Sequence, residues 1–283
     1  MTLDADRILV LGATGKTGRH VTDALRAAGV PPRVGVRRPA ASHAVRFDWH
    51  EPSTWAPALD GVGAVYLVKP PIDPVPPITA LLAQARDLRH VVLLSEMGRE
   101  RKPADDPERA VELAVAGGCQ EWTLLRPSWF LQNWGPDGTW GEQVRRTGEI
   151  VLPSGDARFS LVDARDVAEI AATALTAGSG LGALTLTGPE SMPLSELASR
   201  IAAASGRPIR HVSPTLEESQ AQLRASGAPE AWIRYLAGIE ADAAAGVCAP
   251  IHDDLRRLLR REPRTVQEYV DEHACFWARP VAP

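Results

Sequence analysis

Residues 7–18 read RILVLGATGKTG, and this stretch limits what the chain can fold into more than any other. Ile8, Leu9, Val10 and Leu11 form a short apolar run with β-branched members, the pattern of a strand buried on both faces of a parallel sheet. The run stops at Gly12, and from Lys16 to Ala28 the spacing predicts a helix. In a strand, turn and helix of this kind Gly12 allows the tight turn, Gly15 lets backbone approach a pyrophosphate, and Gly18 lets helix pack on strand. The N–H groups at the helix start then face an anion. Thr14, Lys16 and Thr17 share the turn. Gly12, Thr14, Gly15, Lys16, Thr17 and Gly18 are therefore the expected dinucleotide cradle, and a purely structural glycine turn is the competing reading.

After Gly29 the pair Pro31-Pro32 prevents the helix from continuing, and Arg33 to Val36 reads as the second strand. It runs into Arg37-Arg38, about 20 residues beyond the turn, where NAD sites place Asp or Glu against the ribose 2′-hydroxyl. An acid there repels a 2′-phosphate, whereas a guanidinium grips it through forked, charge-assisted hydrogen bonds. The expected cofactor is NADPH rather than NADH, with Arg37 on the phosphate; Arg38 reads equally as a surface residue.

The 283 residues carry 31 Lys and Arg against 35 Asp and Glu, a net charge of −4 that gives no general attraction to nucleic acid. Cys119, Cys248 and Cys275 are far apart and the histidines show no ligand spacing, so neither a metal site nor a disulfide framework is expected. The N-terminal MTLDADR is acidic, and no apolar run approaches the roughly 18 residues that span a bilayer. The expectation is a soluble, cytoplasmic protein acting on a small molecule, with no membrane or nucleic-acid partner. The pattern fixes no oligomeric state.

The G-A-T-G-x-x-G spacing followed by VGVRRP, VRFDWHEPSTW, VDARDVAE and LTGPE resembles the NmrA-like branch of the atypical short-chain dehydrogenase/reductase family, and within it the clavine dehydrogenases. The resemblance covers nearly the whole chain. It implies an α/β fold, a Rossmann-type doubly wound parallel sheet with a smaller C-terminal α/β substrate lobe. Residues 1–134 would form the NAD(P)-binding core, and 135–283 mainly the substrate lobe, interleaved with that core. By the same resemblance Asp48, Val68 and Lys69 lie on the cofactor side. Asp48 reads equally as a turn residue flanking a helix.

Residues 69–77, KPPIDPVPP, read as a stiff loop through which no helix passes, with a helix from Ile78 to Leu88 after it. The fifth strand, His90 to Leu94, ends at Ser95-Glu96-Met97. In the resembled family this strand delivers a catalytic serine, and the next helix carries Tyr-x-x-x-Lys. Here that helix, near 107–116, has neither tyrosine nor lysine, and its register puts Glu108 at the lysine position and Ala104 at the tyrosine position. Without the phenol no strong acid serves a ketone or alcohol. What remains is hydride transfer to an acceptor already electrophilic.

The expected reaction is NAD(P)H-dependent reduction of a small organic acceptor such as a cyclic imine or iminium. Glu96 would stabilise the cation, with Ser95 beside it as the second catalytic residue and Met97 on the substrate side. A quinone or azo reductase and a non-catalytic dinucleotide sensor are the alternatives. After a sixth strand, RPSWFLQNW at 126–134 resembles the family's segment entering the substrate side, which gives Asn133 a substrate contact. Trp129 and Trp134 read as either pocket wall or core. Phe159 to Val162 and Leu184 to Thr187 read as strands and 164–175 as a helix, all assigned to the small lobe.

Overall fold

The computed structural model describes residues 7–41, 43–70 and 73–278. The opening apolar run forms β1 (Ile8–Leu11), wholly buried, and α1 (Gly18–Ala27) follows the glycine turn. The chain continues through β2 (Arg33–Val36), β3 (Ala44–Arg46), α2 (Trp55–Leu59), β4 (Ala64–Val68), α3 (Val75–Gln84), β5 (His90–Leu94), α4 (Pro107–Gly118) and β6 (Glu121–Pro127). Next come α5 (Gly141–Thr147), β7 (Glu149–Val151), β8 (Arg158–Phe159), α6 (Ala164–Ala177), β9 (Gly182–Leu186), β10 (Met192–Pro193) and α7 (Leu194–Ser205). The last elements are β11 (Arg210–Val212), α8 (Leu216–Ala225), α9 (Glu230–Ala244), α10 (Asp254–Leu259) and α11 (Val266–Ala278).

The described residues of Met1–Pro127 and Ala164–Leu186 make one unit. Its seven strands lie in the order β3-β2-β1-β4-β5-β6-β9, every neighbouring pair parallel. Alternate side chains of each strand point to opposite faces. Leu9 and Leu11 with Val65, Leu67, Val91 and Leu93 meet α2, α3 and α4 through Trp55, Ile78, Leu81, Val111 and Val115. α1 and α6 pack on each other, α1 against β1 and α6 against β4, β5 and β6. Helices on both faces make the sheet doubly wound. The order reverses between β1 and β4, the place where open parallel sheets bind ligands beyond their carboxyl ends.

Beyond shifts of a few residues at helix and strand ends, three differences from the sequence reading have identifiable reasons. α3 begins at Val75, inside the proline-rich stretch, because Pro76 and Pro77 fall in its first turn, where the missing N–H groups have no helical partner to lose. The ladder at 158–159 is only two residues long and pairs antiparallel with β10, while Val162 forms an isolated bridge to Phe130. The strand and helix assigned to the small lobe, now β9 and α6, belong to the first unit, since β9 completes the ladder of β6.

The second unit comprises the described residues of Ser128–Asp163 and Thr187–Pro283. Its core gathers Trp134, Phe159, Leu161, Met192, Leu197, Ile201, Val266, Tyr269 and Trp277. The indole Nε1 of Trp277 donates to the Trp134 carbonyl at 2.9 Å, which satisfies the one polar atom of a fully buried ring. Among the described residues no helix is long and apolar enough to cross a membrane.

Candidate cofactor cradle and reaction edge

The turn between β1 and α1 is closed by the Gly15 N–H donating to the Gly12 carbonyl at 2.8 Å. Gly12 has φ +67°, a conformation that L side chains adopt at a cost. A Cβ on Gly15 would stand 3.1 Å from the Gly12 carbonyl oxygen, and one on Gly18 would overlap that carbonyl, 2.7 Å from its carbon. A cradle that only hydrogen atoms fit is what close backbone approach to a pyrophosphate requires. The Thr17 side chain turns inward: it is buried, and its Oγ1 accepts from Tyr66 of β4 at 2.9 Å, tying the helix start to the sheet. Burial and then the Arg19 guanidinium push the Lys16 ammonium down to about 8.

Beside the turn a cavity of about 780 Å³ is lined by Thr14, Val36, Arg37, Arg38, Pro39, Arg46 and Asp48. Arg37 and Arg38 extend the end of β2, and Arg46 comes from the paired strand β3. Arg46 is the residue that sequence reasoning missed; only its parallel pairing puts it here, and Nη2 meets Glu51 Oε2 at 2.6 Å. Asp48 lines the cavity, while its Oδ1 accepts the His50 N–H at 2.9 Å and its carbonyl accepts the Trp55 indole at 2.8 Å, as a turn residue flanking a helix does. Three guanidiniums around a cavity next to a helix N-terminus fit a phosphorylated dinucleotide.

Val68, the last residue of β4, reaches the turn: a Cβ on Gly12 would stand 3.3 Å from its Cγ2. Lys69 follows. Its Nζ lies 2.8 Å from Glu96 Oε1 and forms an ion pair with Glu108 of α4. Glu96 Oε2 accepts Arg99 Nε at 3.0 Å and Nη2 at 2.7 Å. Both Glu96 oxygens are thus engaged by cations, which compensate the charge that the sequence reading set against a substrate cation. Burial pulls the Lys69 ammonium below the usual lysine range, outweighing Glu96, which pulls it up.

Ser95 also differs from its expected role. Its hydroxyl donates to Glu112 Oε1 at 2.6 Å, and the fully buried Glu112 accepts Arg126 Nε and Nη2, both at 2.8 Å, as well as Arg109. Burial alone would raise the Glu112 carboxyl, but the bonds from Arg126, Ser95 and Arg109 hold it below the ordinary range. Ser95 is therefore a member of a buried network joining β5, α4 and β6. Met97 is buried as well, its N–H donating to the Pro127 carbonyl at 3.0 Å.

Trp129, Asn133 and Trp134 belong to the second unit. Trp134 is core, 1% exposed. Trp129, half-buried, stacks on it at 6.1 Å and on Trp140 at 5.8 Å, and Trp134 and Trp140 are 6.2 Å apart. Asn133 is buried, and its carbonyl accepts the Trp140 N–H at 3.0 Å.

No family model matches the chain. It is 32% identical over 281 residues to the uncharacterized oxidoreductase YesF of Bacillus subtilis, covering 95% of this chain and 96% of that one. It is 30% identical to the NAD(P)H azoreductase of Xenophilus azovorans, covering 94% and 98% of the two chains, and 30% identical to the agroclavine dehydrogenase of Claviceps fusiformis, covering 95% and 98%. In fold it is similar to the NADPH-dependent quinone oxidoreductase QOR2 of Escherichia coli, solved with NADPH, with a TM-score of 0.79 at 21% identity, covering 94% and 99%.

Proposed function

The chain belongs to the NmrA-like atypical short-chain dehydrogenase/reductase family of NAD(P)H-dependent oxidoreductases, and on that premise we propose that it uses NADPH to reduce a small, conjugated organic acceptor that is already electrophilic. When bound, NADPH supplies the hydride. Gly12 and Gly18 keep the turn tight against α1, Gly15 lets the backbone approach the pyrophosphate, the start of α1 offers N–H groups to it, and Arg37 with Arg38 and Arg46 meets the 2′-phosphate. Cys119, Cys248 and Cys275 are thiols rather than disulfide partners, which suits a reducing, cytoplasmic setting.

One observation carries the choice of reaction. α4 contains neither lysine nor tyrosine, and the register read from the sequence sets Glu108 against the family's proton-relaying lysine. An acceptor that draws hydride by its own electrophilicity suits such a site, because its reduction does not depend on a tyrosine and lysine on α4.

The cyclic iminium reading relied on Glu96 to meet a substrate cation. Lys69 and Arg99 already compensate that charge, so a neutral acceptor, a quinone or an azo compound, is favoured over a preformed cation. Two relatives bear on this range of acceptors, one named an azoreductase and one an agroclavine dehydrogenase.

The test is loss of reduced-nicotinamide absorbance on adding quinones, azo compounds, cyclic imines and simple ketones to purified protein with NADPH or NADH. Turnover of the first two classes with NADPH, and little with ketones, is the expected result. Tight NADPH binding with no turnover of any acceptor would refute the proposal in favour of a dinucleotide sensor.

A further inference from the structure

Of the 31 cationic side chains in this chain three are lysines, Lys16, Lys69 and Lys102, and the rest are arginines. An arginine does not surrender a proton at working pH, whereas a lysine taken out of water can. Lys69 is placed where that difference counts. It follows β4 at the carboxyl edge of the sheet, next to Val68, which touches the glycine turn. Carboxylates on two other elements hold its Nζ: Glu96 after β5 at 2.8 Å, and Glu108 in the first turn of α4.

Arg99, itself 6% exposed, grips the far oxygen of Glu96. Asp106, the N-cap of α4, adds negative charge nearby while its Oδ1 accepts the Glu108 and Arg109 N–H groups. Within the quartet two cations balance two carboxylates, so the ammonium is held in place by charge that cancels. α4 contains no lysine, and the amine at this edge of the sheet is Lys69, which follows β4.

We infer that Lys69 is the acid that completes reduction of neutral acceptors. The inference rests on the reductase reading above. Hydride addition carries two electrons to the acceptor, oxidises the nicotinamide and leaves an anionic oxygen or nitrogen. One Nζ–H bond then breaks, the new O–H or N–H bond forms, and Nζ keeps the electron pair as a neutral amine. Its side chain, 15% exposed, is reprotonated from water. Burial, aided by Arg99, makes the proton easier to give up than that of a surface lysine, while Glu96 and Asp106 oppose this.

A cationic acceptor becomes neutral on receiving hydride and needs no proton, and that contrast supplies the experiment. Wild type, K69M and K69R are compared on a neutral quinone and on a cationic triarylmethane dye, with NADPH affinity measured separately by fluorescence. General acid catalysis contributes about 10²–10⁴-fold, so the quinone-to-dye ratio of kcat should fall at least about tenfold in both variants, without a matching loss of NADPH affinity. K69R keeps the charge and guards against a misfolded K69M; recovery of the ratio in K69R would show that charge alone matters and overturn the inference. An unchanged ratio, or lost NADPH affinity with both acceptors falling together, would also overturn it.

A second arm follows the lysine directly. With three lysines in the chain, ¹³C-lysine NMR resolves the Lys69 titration by difference from K69R. Removing the Glu96 charge in E96Q should move that titration, and the alkaline fall of quinone turnover with it, to lower pH; no movement of either counts against the inference. Wild type that binds NADPH yet reduces neither acceptor overturns the reductase reading, and this inference with it. Wild type that reduces both, with the ratio unmoved by substitution, overturns the inference alone.

Discussion

Replacing Glu112 by alanine should cost more stability than any other single change in the β5, α4 and β6 network. Glu112 is 0% exposed, and its two oxygens take three guanidinium bonds and the Ser95 hydroxyl. In Glu112→Ala the Arg126 guanidinium, 9% exposed, keeps only Glu100, at 3.4 Å and itself 40% exposed, as counter-charge. Breaking a buried pair from one side costs about 3–5 kcal/mol, a large share of the roughly 5–15 kcal/mol that a domain has. Glu112→Gln keeps the shape and one acceptor, so its cost should be about 1.5–3 kcal/mol. Removing both charges together, as in Glu112→Met with Arg126→Met, should recover part of the loss, since the buried Arg126 charge goes with its partner and the more exposed Arg109 can turn to water. Urea unfolding followed by circular dichroism measures all four proteins.

The pH dependence gives an independent check. The folded Glu112 pKa lies below its unfolded value, so its contribution is complete above the unfolded pKa of about 4.3 and is lost as pH falls through the lower folded value. Wild type should therefore lose stability below about pH 4 more steeply than Glu112→Gln. A Glu112→Ala protein within about 1 kcal/mol of wild type, or superimposable acid limbs, would refute the reasoning.

Arg37→Asp should weaken NADPH by about ten- to hundredfold, the worth of one charge-assisted bond, and NADH much less; fluorescence titrations that show equal weakening would remove Arg37 from the 2′-phosphate. Gly15→Val should stay folded with some loss of stability, since its Cβ stands 3.1 Å from the Gly12 carbonyl oxygen, and should lose NADPH affinity, because a branched side chain then stands where backbone approaches the pyrophosphate. Gly18→Ala, whose Cβ meets the Gly12 backbone, should also lose about 1–3 kcal/mol of stability; normal NADPH binding by a folded Gly15→Val would make the turn merely structural. Trp129→Ala should cost about 1–3 kcal/mol through two lost indole stacks and the edge contact to Phe159, and should change the near-UV dichroism of the remaining rings.

What the sequence made legible was whatever the chain encodes over a few residues. β1 and β5 are short apolar runs bounded by turn residues, and the structure has each over the same residues as the sequence reading. The glycine turn was readable because Gly12 needs its positive φ and Gly18 its missing Cβ, whatever lies elsewhere. The prolines at 76 and 77 misled, since proline ends a helix only beyond its first turn.

The reaction edge was harder to read, because its pairs join distant positions. Lys69 with Glu96 and Glu108, and Ser95 with Glu112 and Arg126, form only once β4, β5, α4 and β6 are in register. Lys69 lies 27 residues from Glu96 and reaches it only because β4 and β5 pair, whereas Arg99, three residues on, was a partner that local spacing could have found. Arg46 escaped notice for the same reason. β9 was legible as a strand, but its partner was not, because a strand's pattern tells which faces are buried and not which neighbour it pairs with.

The first unit closes its sheet with a strand that the ribosome delivers late. β6 ends at Pro127, but its outer neighbour β9 and the helix α6 that packs beside α1 arrive only with residues 164–186. About 60 residues of synthesis separate the two, roughly 3–12 s at ordinary translation rates. Throughout that interval the nascent sheet ends in an unpaired edge running through Leu124 and Leu125, of the kind to which other chains add. The interval is a window for chaperone capture during synthesis. The same order of emergence means that a fragment ending at residue 134, the natural cut for anyone isolating the nucleotide-binding part, would carry an unfinished sheet and should aggregate.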